Sequence, residues 1–295
     1  MPRENIKSGA AFMLACGFAF ACSGALVKIA VRDLPNEMIV FFRNALGLVV
    51  LWPLLWRAGR NGLKTQFLGL HVFRALVGLA AMYCYFFAIA HLPLAIATLF
   101  TYATPLFVPL IAFIWLRERI SRAFGWIIVL GFFGIVMILR PGHDFFTPVS
   151  LVALASGFFA ALVAVGIRRM SRSEPATRIV FYFTAISTLV SAVPLSWAWQ
   201  TPPTGMWIVL AGIALCSVAA QLFLTRAYAS AQAAHVGPFV YSTVVFATLA
   251  AWLFWNEIPD AISVLGIVIV CVAGILAIRR GAAPVEPLPD RVPQR

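Results

Sequence analysis

Apolar runs of about 20 residues recur along this chain, and each is long enough to cross the hydrocarbon core of a bilayer as a helix. Bounded by charges or by Gly and Pro, they cover 8–31, 36–56, 67–90, 94–116, 122–140, 148–168, 177–198, 205–229, 233–255 and 261–279. Little chain is left between them. Of the 295 residues 62% are hydrophobic and 11% charged, against about 45–50% and about 25% in soluble domains. A soluble globular enzyme, a disordered chain and a collagen-like chain are excluded. A membrane β-barrel is excluded too, because its strands alternate apolar and polar residues. The expectation is an all-α polytopic membrane protein with ten transmembrane helices. The first run lacks a small-residue cleavage site followed by a polar domain, so it reads as a membrane helix and not a signal peptide. Residues 281–295, with Pro284, Pro287, Pro289 and Pro293, read as a disordered tail.

The net charge is +12. In a soluble domain that would suggest nucleic acid. Here the positive-inside rule explains it, because Lys and Arg collect in cytoplasmic loops. With the N-terminus inside, 17 basic residues fall in inside segments and only Lys28, Arg32 and Arg140 outside. Both termini are expected in the cytoplasm of a cell whose inner membrane holds the chain. The tryptophans fall near predicted helix ends, as an interfacial belt requires. Cys16, Cys22, Cys84, Cys216 and Cys271 lie in apolar runs without metal-type spacing and read as small core residues.

The chain also repeats itself. Shifted by 139 residues, 85–118 aligns without a gap to 224–257 with ten identities, among them Tyr102/Tyr241, Thr104/Thr243 and Glu118/Glu257. Shifted by 140, Ile39-Val40-Phe41-Phe42-Arg43-Asn44-Ala45 faces Ile179-Val180-Phe181-Tyr182-Phe183-Thr184-Ala185. Five spans per half is an odd number, so the second half, 148–280, would be inverted relative to the first, 8–140. Inverted repeats are the architecture of many secondary transporters, with the substrate near the midplane between the halves.

The run Phe73-Arg74-Ala75-Leu76-Val77-Gly78, then Ala88 to Ala95, Thr104-Pro105-Leu106-Phe107 and Trp115-Leu116-Arg117-Glu118-Arg119-Ile120, resembles the EamA-type ten-helix branch of the drug/metabolite transporter superfamily. Tyr241 to Glu257 and Gly266 to Gly274 are a looser second copy. Arg43, in Phe42-Arg43-Asn44-Ala45, resembles the arginine that family carries in its second helix. The resemblance covers 8–280. It implies the fold and a transport function, and leaves the cargo open, since related proteins move amino acids, cofactors, metallophores and organic acids. It favours export.

Polar groups at membrane depth are costly, and they are the first candidates for function. Arg43 and Arg74 lie about seven residues from a helix end, or about 10 Å deep. Their repeat counterparts are Phe183 and Ile213, so both cations belong to one half. They could grip a substrate carboxylate or phosphate bidentately, or tie helices together by snorkelling and bonding to carbonyls. Four stripes accompany them: Arg74, Gly78, Met82 and Tyr85 on the third span; Thr98, Tyr102, Pro105 and Pro109 on the fourth; Ser217, Gln221, Thr225 and Tyr228 on the eighth; Gly237, Tyr241, Val244 and Thr248 on the ninth. Each stripe follows helical spacing and faces either a cavity or another helix through interhelical hydrogen bonds. The candidate substrate-binding set is therefore Arg43, Arg74, Tyr85, Thr98, Tyr102, Gln221 and Tyr241. Pro105 and Pro109 weaken their helix and are either gate hinges or a static bend. Pro194 and Pro238 stand similarly in the seventh and ninth spans.

All ten acids fall in loops, tails or helix ends, which argues against a midplane carboxylate relay and against an organic-cation pump. His71, His91, His143 and His235 lie near ends too; His91 and His235 could relay a proton. No GxxxxGK run is present for ATP. No cofactor is expected. The partners are a small-molecule substrate and the bilayer, with no nucleic acid, and the chain would act as a monomer or homodimer. The leading function is export of a small carboxylate-bearing metabolite, such as an amino acid or its derivative. The alternative is import of a cofactor or nucleotide-like compound stacked on Tyr85, Tyr102 and Tyr241. A membrane-embedded enzyme would need a clustered nucleophile, base or metal, and none is visible.

Overall fold

The structure is a computed structural model that describes residues 5–92, 97, 100–101, 104–116, 122–139, 148–231, 233–255 and 260–280. Ten helices of thirteen residues or more run through them: α1 (Ile6–Ala30), α2 (Asn36–Leu63), α3 (Leu68–His91), α4 (Thr104–Leu116), α5 (Arg122–Leu139), α6 (Pro148–Met170), α7 (Ala176–Ala192), α8 (Met206–Ser230), α9 (Ser242–Trp255) and α10 (Ala261–Arg280). No strand occurs among the described residues. Five helical spans, within α1, α2, α3, α6 and α8, are long and apolar enough to cross a membrane; the other apolar stretches are 17 residues or shorter among the described residues. The chain is thus an all-helical, multi-pass membrane protein.

The helix starts have local causes. The side chain of Asn5 accepts from the Ser8 amide and caps α1. Pro35 and Pro175, 140 residues apart, precede α2 and α7 in extended conformation, a place where the missing N–H costs nothing. Three departures from the expected spans also trace to single residues. The seventh span ends at Ala192, because Pro194 interrupts it before a single turn, Leu195–Ala198. The ninth is a turn of helix, Ala233–Val236, then 3₁₀ winding over Gly237–Tyr241 that carries Pro238, and only then α9. Towards its end α2 is broken at Gly59, whose φ of 63° favours a residue without a Cβ.

Packing follows a two-fold rule. The main neighbours are α1 with α8, α3 with α6, α5 with α10, α2 with α7, α1 with α9, α4 with α6, α2 with α8 and α3 with α7. Exchanging each of the first five helices with the one five places later leaves this set unchanged. The backbone obeys the same rule. Val31, Asp33 and Leu34 donate to Val27, Ala30 and Ala30, and Ser171, Ser173 and Glu174 donate to Ile167, Met170 and Met170.

The outer surface is strongly apolar. Ile208, Leu253 and Trp56 are 80, 77 and 77% exposed, which is stable only where the surrounding solvent is lipid. Inside, one apolar cluster gathers Met13, Cys16, Val108, Ile128, Tyr228 and Tyr241, and another gathers Leu34, Met38, Phe42, Met82, Phe86 and Leu210.

Candidate functional site

A cavity of about 150 Å³ lies where α1, α2, α3, α6, α7 and α8 converge. Its polar lining comes from Ser23 on α1, Arg43 on α2, Arg74 and Tyr85 on α3, Thr101 just before α4, Thr104 at its start, and Ser217 and Gln221 on α8. Its apolar lining includes Phe20, Met82, Phe86, Val163, Phe183 and Leu224. Among the described residues no acidic side chain lines it.

Both arginines are buried, Arg43 at 6% and Arg74 at 1% exposure. A cation at membrane depth costs about 3 kcal/mol or more unless its donors are used. Arg43 uses two of them. Its Nε donates to the Ser217 hydroxyl at 2.9 Å, and its Nη1 to the Asn44 side-chain oxygen at 3.2 Å. Asn44 is held in turn by donating to the Val40 carbonyl at 2.8 Å. The Ser217 and Ser23 hydroxyls share a 2.9 Å hydrogen bond, so α1, α2 and α8 meet in one polar chain. Arg74 is less satisfied. Its Nη2 donates to the Gln221 oxygen at 2.8 Å, while Nε and Nη1 are buried without a hydrogen-bond partner. Both guanidinium groups stand over one ring: Arg74 is 4.2 Å and Arg43 6.0 Å from the centre of Phe183. A ring face attracts cations but accepts no strong hydrogen bond. Free donors, two positive charges and no acid make an anion-seeking site.

Close approach to Phe183 depends on Gly78, where a Cβ would lie 2.9 Å from the ring. Along α3, Arg74, Gly78, Met82 and Tyr85 all face the cavity. On α8, Ser217, Gln221 and Tyr228 do so, while Thr225 donates back to the Gln221 carbonyl at 2.8 Å.

Tyr241 is a correction. It does not line the cavity; its hydroxyl donates to the Ile128 carbonyl at 3.3 Å and its ring packs where a Cβ on Gly131 would sit at 2.5 Å. The helical spacing used to place it assumed α winding. The 3₁₀ segment turns about 20° further per residue and presents Val240 to the cavity instead. Thr98 and Tyr102 lie outside the described residues, as do Glu118, Glu257 and the tail 281–295. Pro105 and Pro109 lie within α4, which runs helically through both. Reading the residues alone missed Ser23, Thr101 and Thr104, and treated Phe183 only as the counterpart of Arg43. The contribution of α1, α6 and α7 to the lining was missed as well.

The profile of the EamA-like transporter family matches residues 7–140 and again 147–279. The chain belongs to the EamA-like transporter family. Among its relatives is the pseudopaline exporter CntI of Pseudomonas aeruginosa, 38% identical over 278 residues that cover 93% of this chain and 97% of the exporter. A riboflavin transporter of Vibrio cholerae is 31% identical, covering 91% of this chain and 92% of its own. An S-adenosylmethionine uptake transporter of Rickettsia conorii is 27% identical over 79% of each chain. One solved crystal structure, 19% identical, matches with a TM-score of 0.73 over 90% of this chain and 98% of its own, which gives the EamA chain a known fold.

Proposed function

We propose that this EamA transporter exports a small carboxylate-bearing metabolite, an amino acid or a derivative of one, by alternating access. The carrying observation is the pair of buried arginines over Phe183 with two Arg74 donors unused and no acid among the described lining residues. The cargo carboxylate binds between Arg74 and Arg43. Gln221 orients Arg74, and Ser217 with Asn44 orients Arg43. Tyr85, Met82 and Phe86 contact its apolar part. Ten helices in two inverted halves, 8–140 and 148–280, cross the inner membrane with both termini cytoplasmic, and Pro105 and Pro109 let α4 bend. The two-fold packing rule supports the two halves, and the distribution of Lys and Arg supports the orientation. Likeness to an exporter supports the direction.

Melting of the purified protein in detergent tests this reading against a panel of amino acids, N-carboxyalkyl amino acids, dicarboxylates and nucleotide cofactors. A ligand of the folded state raises the melting point. A shift from carboxylates that vanishes in Arg74→Ala supports the exporter. A second reading, import of a nucleotide-like compound, draws on the rings of Phe20, Tyr85, Phe86 and Phe183 around the cavity and on likeness to riboflavin and S-adenosylmethionine transporters. A shift from nucleotide cofactors alone would favour it.

A further inference from the structure

The cavity has two polar walls of different chemistry. On the wall of α2, α3 and α8 the arginines offer only donors, since a guanidinium has no acceptor. Two donors of Arg74 are unused. The Gln221 oxygen is taken by Arg74, which leaves that amide its N–H groups, and these are donors as well. The other wall is made by α6 and the chain entering α4, and its polar lining is Thr101 and Thr104.

The hydrogen bonds around these two threonines fix where their protons point. The Ser156 hydroxyl oxygen lies 2.6 Å from the Ala153 carbonyl oxygen and 2.5 Å from the Thr101 hydroxyl oxygen. A carbonyl cannot donate, and a serine has one proton. Ser156 therefore donates to Ala153, and Thr101 must donate to Ser156. Thr104 Oγ1 stands between two carbonyl oxygens, 2.6 Å from that of Thr101 and 3.2 Å from that of Gly157, and its one proton goes to them. Both threonine protons are thus spent on the protein. What Thr101 and Thr104 offer a ligand in the cavity is lone pairs alone. Close packing holds the arrangement. A Cβ on Gly157 would lie 2.5 Å from the Phe100 carbonyl oxygen and 3.0 Å from that of Thr101, so the chain entering α4 rests directly on the α6 backbone.

The acceptor wall belongs to one half only, as the arginines do. Val240 stands for Thr101 at the shift of 139. It lines the cavity too, with an apolar side chain.

Uncharged oxygens with free lone pairs and no proton to give are the complement of an amine. We propose that Thr101 and Thr104 form the amino-group subsite of the cavity: they accept the N–H groups of the cargo's amine while the arginines hold its carboxylate. The cargo then lies in one orientation between the two walls. This rests on the carboxylate reading above and adds the group that the cargo must carry besides its acid. A protonated secondary amine has two N–H donors, one for each threonine oxygen. An ether oxygen at the same place brings lone pairs against lone pairs. Ser156 is a positioning residue. It is fully buried and is not among the lining residues, and by taking the Thr101 proton it keeps that hydroxyl an acceptor.

The test is calorimetric binding of two compounds to the purified full chain in detergent: an N-carboxyalkyl amino acid, and its oxa analogue with an ether oxygen in place of the nitrogen. Both carry the same carboxylates. The wild type should bind the amine at least about tenfold more tightly, because the ether leaves buried acceptors facing each other. Thr101→Val keeps the shape and removes the oxygen, so the preference should shrink several-fold; Thr101→Ser should retain it. Ser156→Ala frees the Thr101 proton to turn towards the cavity, so the ether should gain on the amine. The ratio of the two affinities is the readout, because a merely structural role for Thr101 would weaken both compounds alike. Arg74→Ala should weaken both and leave the ratio as it is. Equal binding of amine and ether to the wild type overturns the subsite and leaves the carboxylate reading standing, as does a ratio unchanged in Thr101→Val. Binding of neither compound overturns both, and the wild-type comparison does not depend on how any variant folds.

Discussion

The guanidinium of Arg74 lies 4.2 Å from the centre of the Phe183 ring, and Phe183 occupies in the second half the position of Arg43 in the first. The repeat therefore places a cation on one side of the site and an aromatic ring on the other. Two arginines at equivalent positions would face each other across the two-fold relation. The phenylalanine stacks on both arginines present and takes none of their donors away from a ligand.

Removing the Arg74 charge should uncouple transport from folding. Arg74→Ala is expected to lower carboxylate transport at least about tenfold, because a charge-assisted bond to a buried anion is worth about 1.5–3 kcal/mol. Folded yield should change far less, since only one of its donors is used internally. Arg74→Lys should restore little, as an ammonium cannot present the fork or stack flat on Phe183. Vesicle uptake beside size-exclusion yield checks this; equal losses in both would make Arg74 structural.

Phe183→Leu keeps an apolar contact and removes the ring face. The cation–π attraction is worth about 0.5–2 kcal/mol, so the melting point should drop, and carboxylate affinity should change because both guanidiniums lose their backing. Calorimetric titration and thermal melting of the same preparation measure the two effects.

Gly78→Ala should hurt binding more than its size suggests. Its Cβ would meet the Phe183 ring at 2.9 Å, closer than van der Waals contact allows. The ring must shift towards the arginines and into the cavity. Affinity measured across Gly78→Ala and the double variant Gly78→Ala/Phe183→Leu should show the second change relieving the first.

Tyr241→Phe is expected to leave cargo affinity unchanged and to cost about 1 kcal/mol of stability, the usual net worth of one hydrogen bond, because its hydroxyl ends on the Ile128 carbonyl. A loss of affinity with unchanged melting would return Tyr241 to the site.

Much of this was legible in the residues. Arg74, Gly78, Met82 and Tyr85 share a face because α3 is a regular helix from Leu68 to His91, so spacing alone placed them. Tyr241 was misplaced because a single 3₁₀ stretch at Gly237–Tyr241 breaks the same arithmetic. The role of Phe183 was hidden because a phenylalanine in an apolar helix carries no signal of its own; only its distance to two cations reveals it. The burial of Glu174 and His71 was hidden for a related reason. A loop position or a place near a helix start ordinarily means exposure, but Glu174, in the corner before Pro175, packs against His71 of α3 and both are buried. Ser23 and Thr104 look like ordinary small residues of membrane helices until their partners are seen.

The most direct test of the central claim is calorimetric binding of a matched pair, an N-carboxyalkyl amino acid and its neutral carboxamide, to the wild type and to Arg74→Ala. The account predicts that the acid binds the wild type, that the carboxamide binds at least about tenfold more weakly, as loss of a charge-assisted bond requires, and that Arg74→Ala removes the difference. Equal binding of acid and carboxamide to the wild type would contradict it, because the two arginines would then not be reading a negative charge.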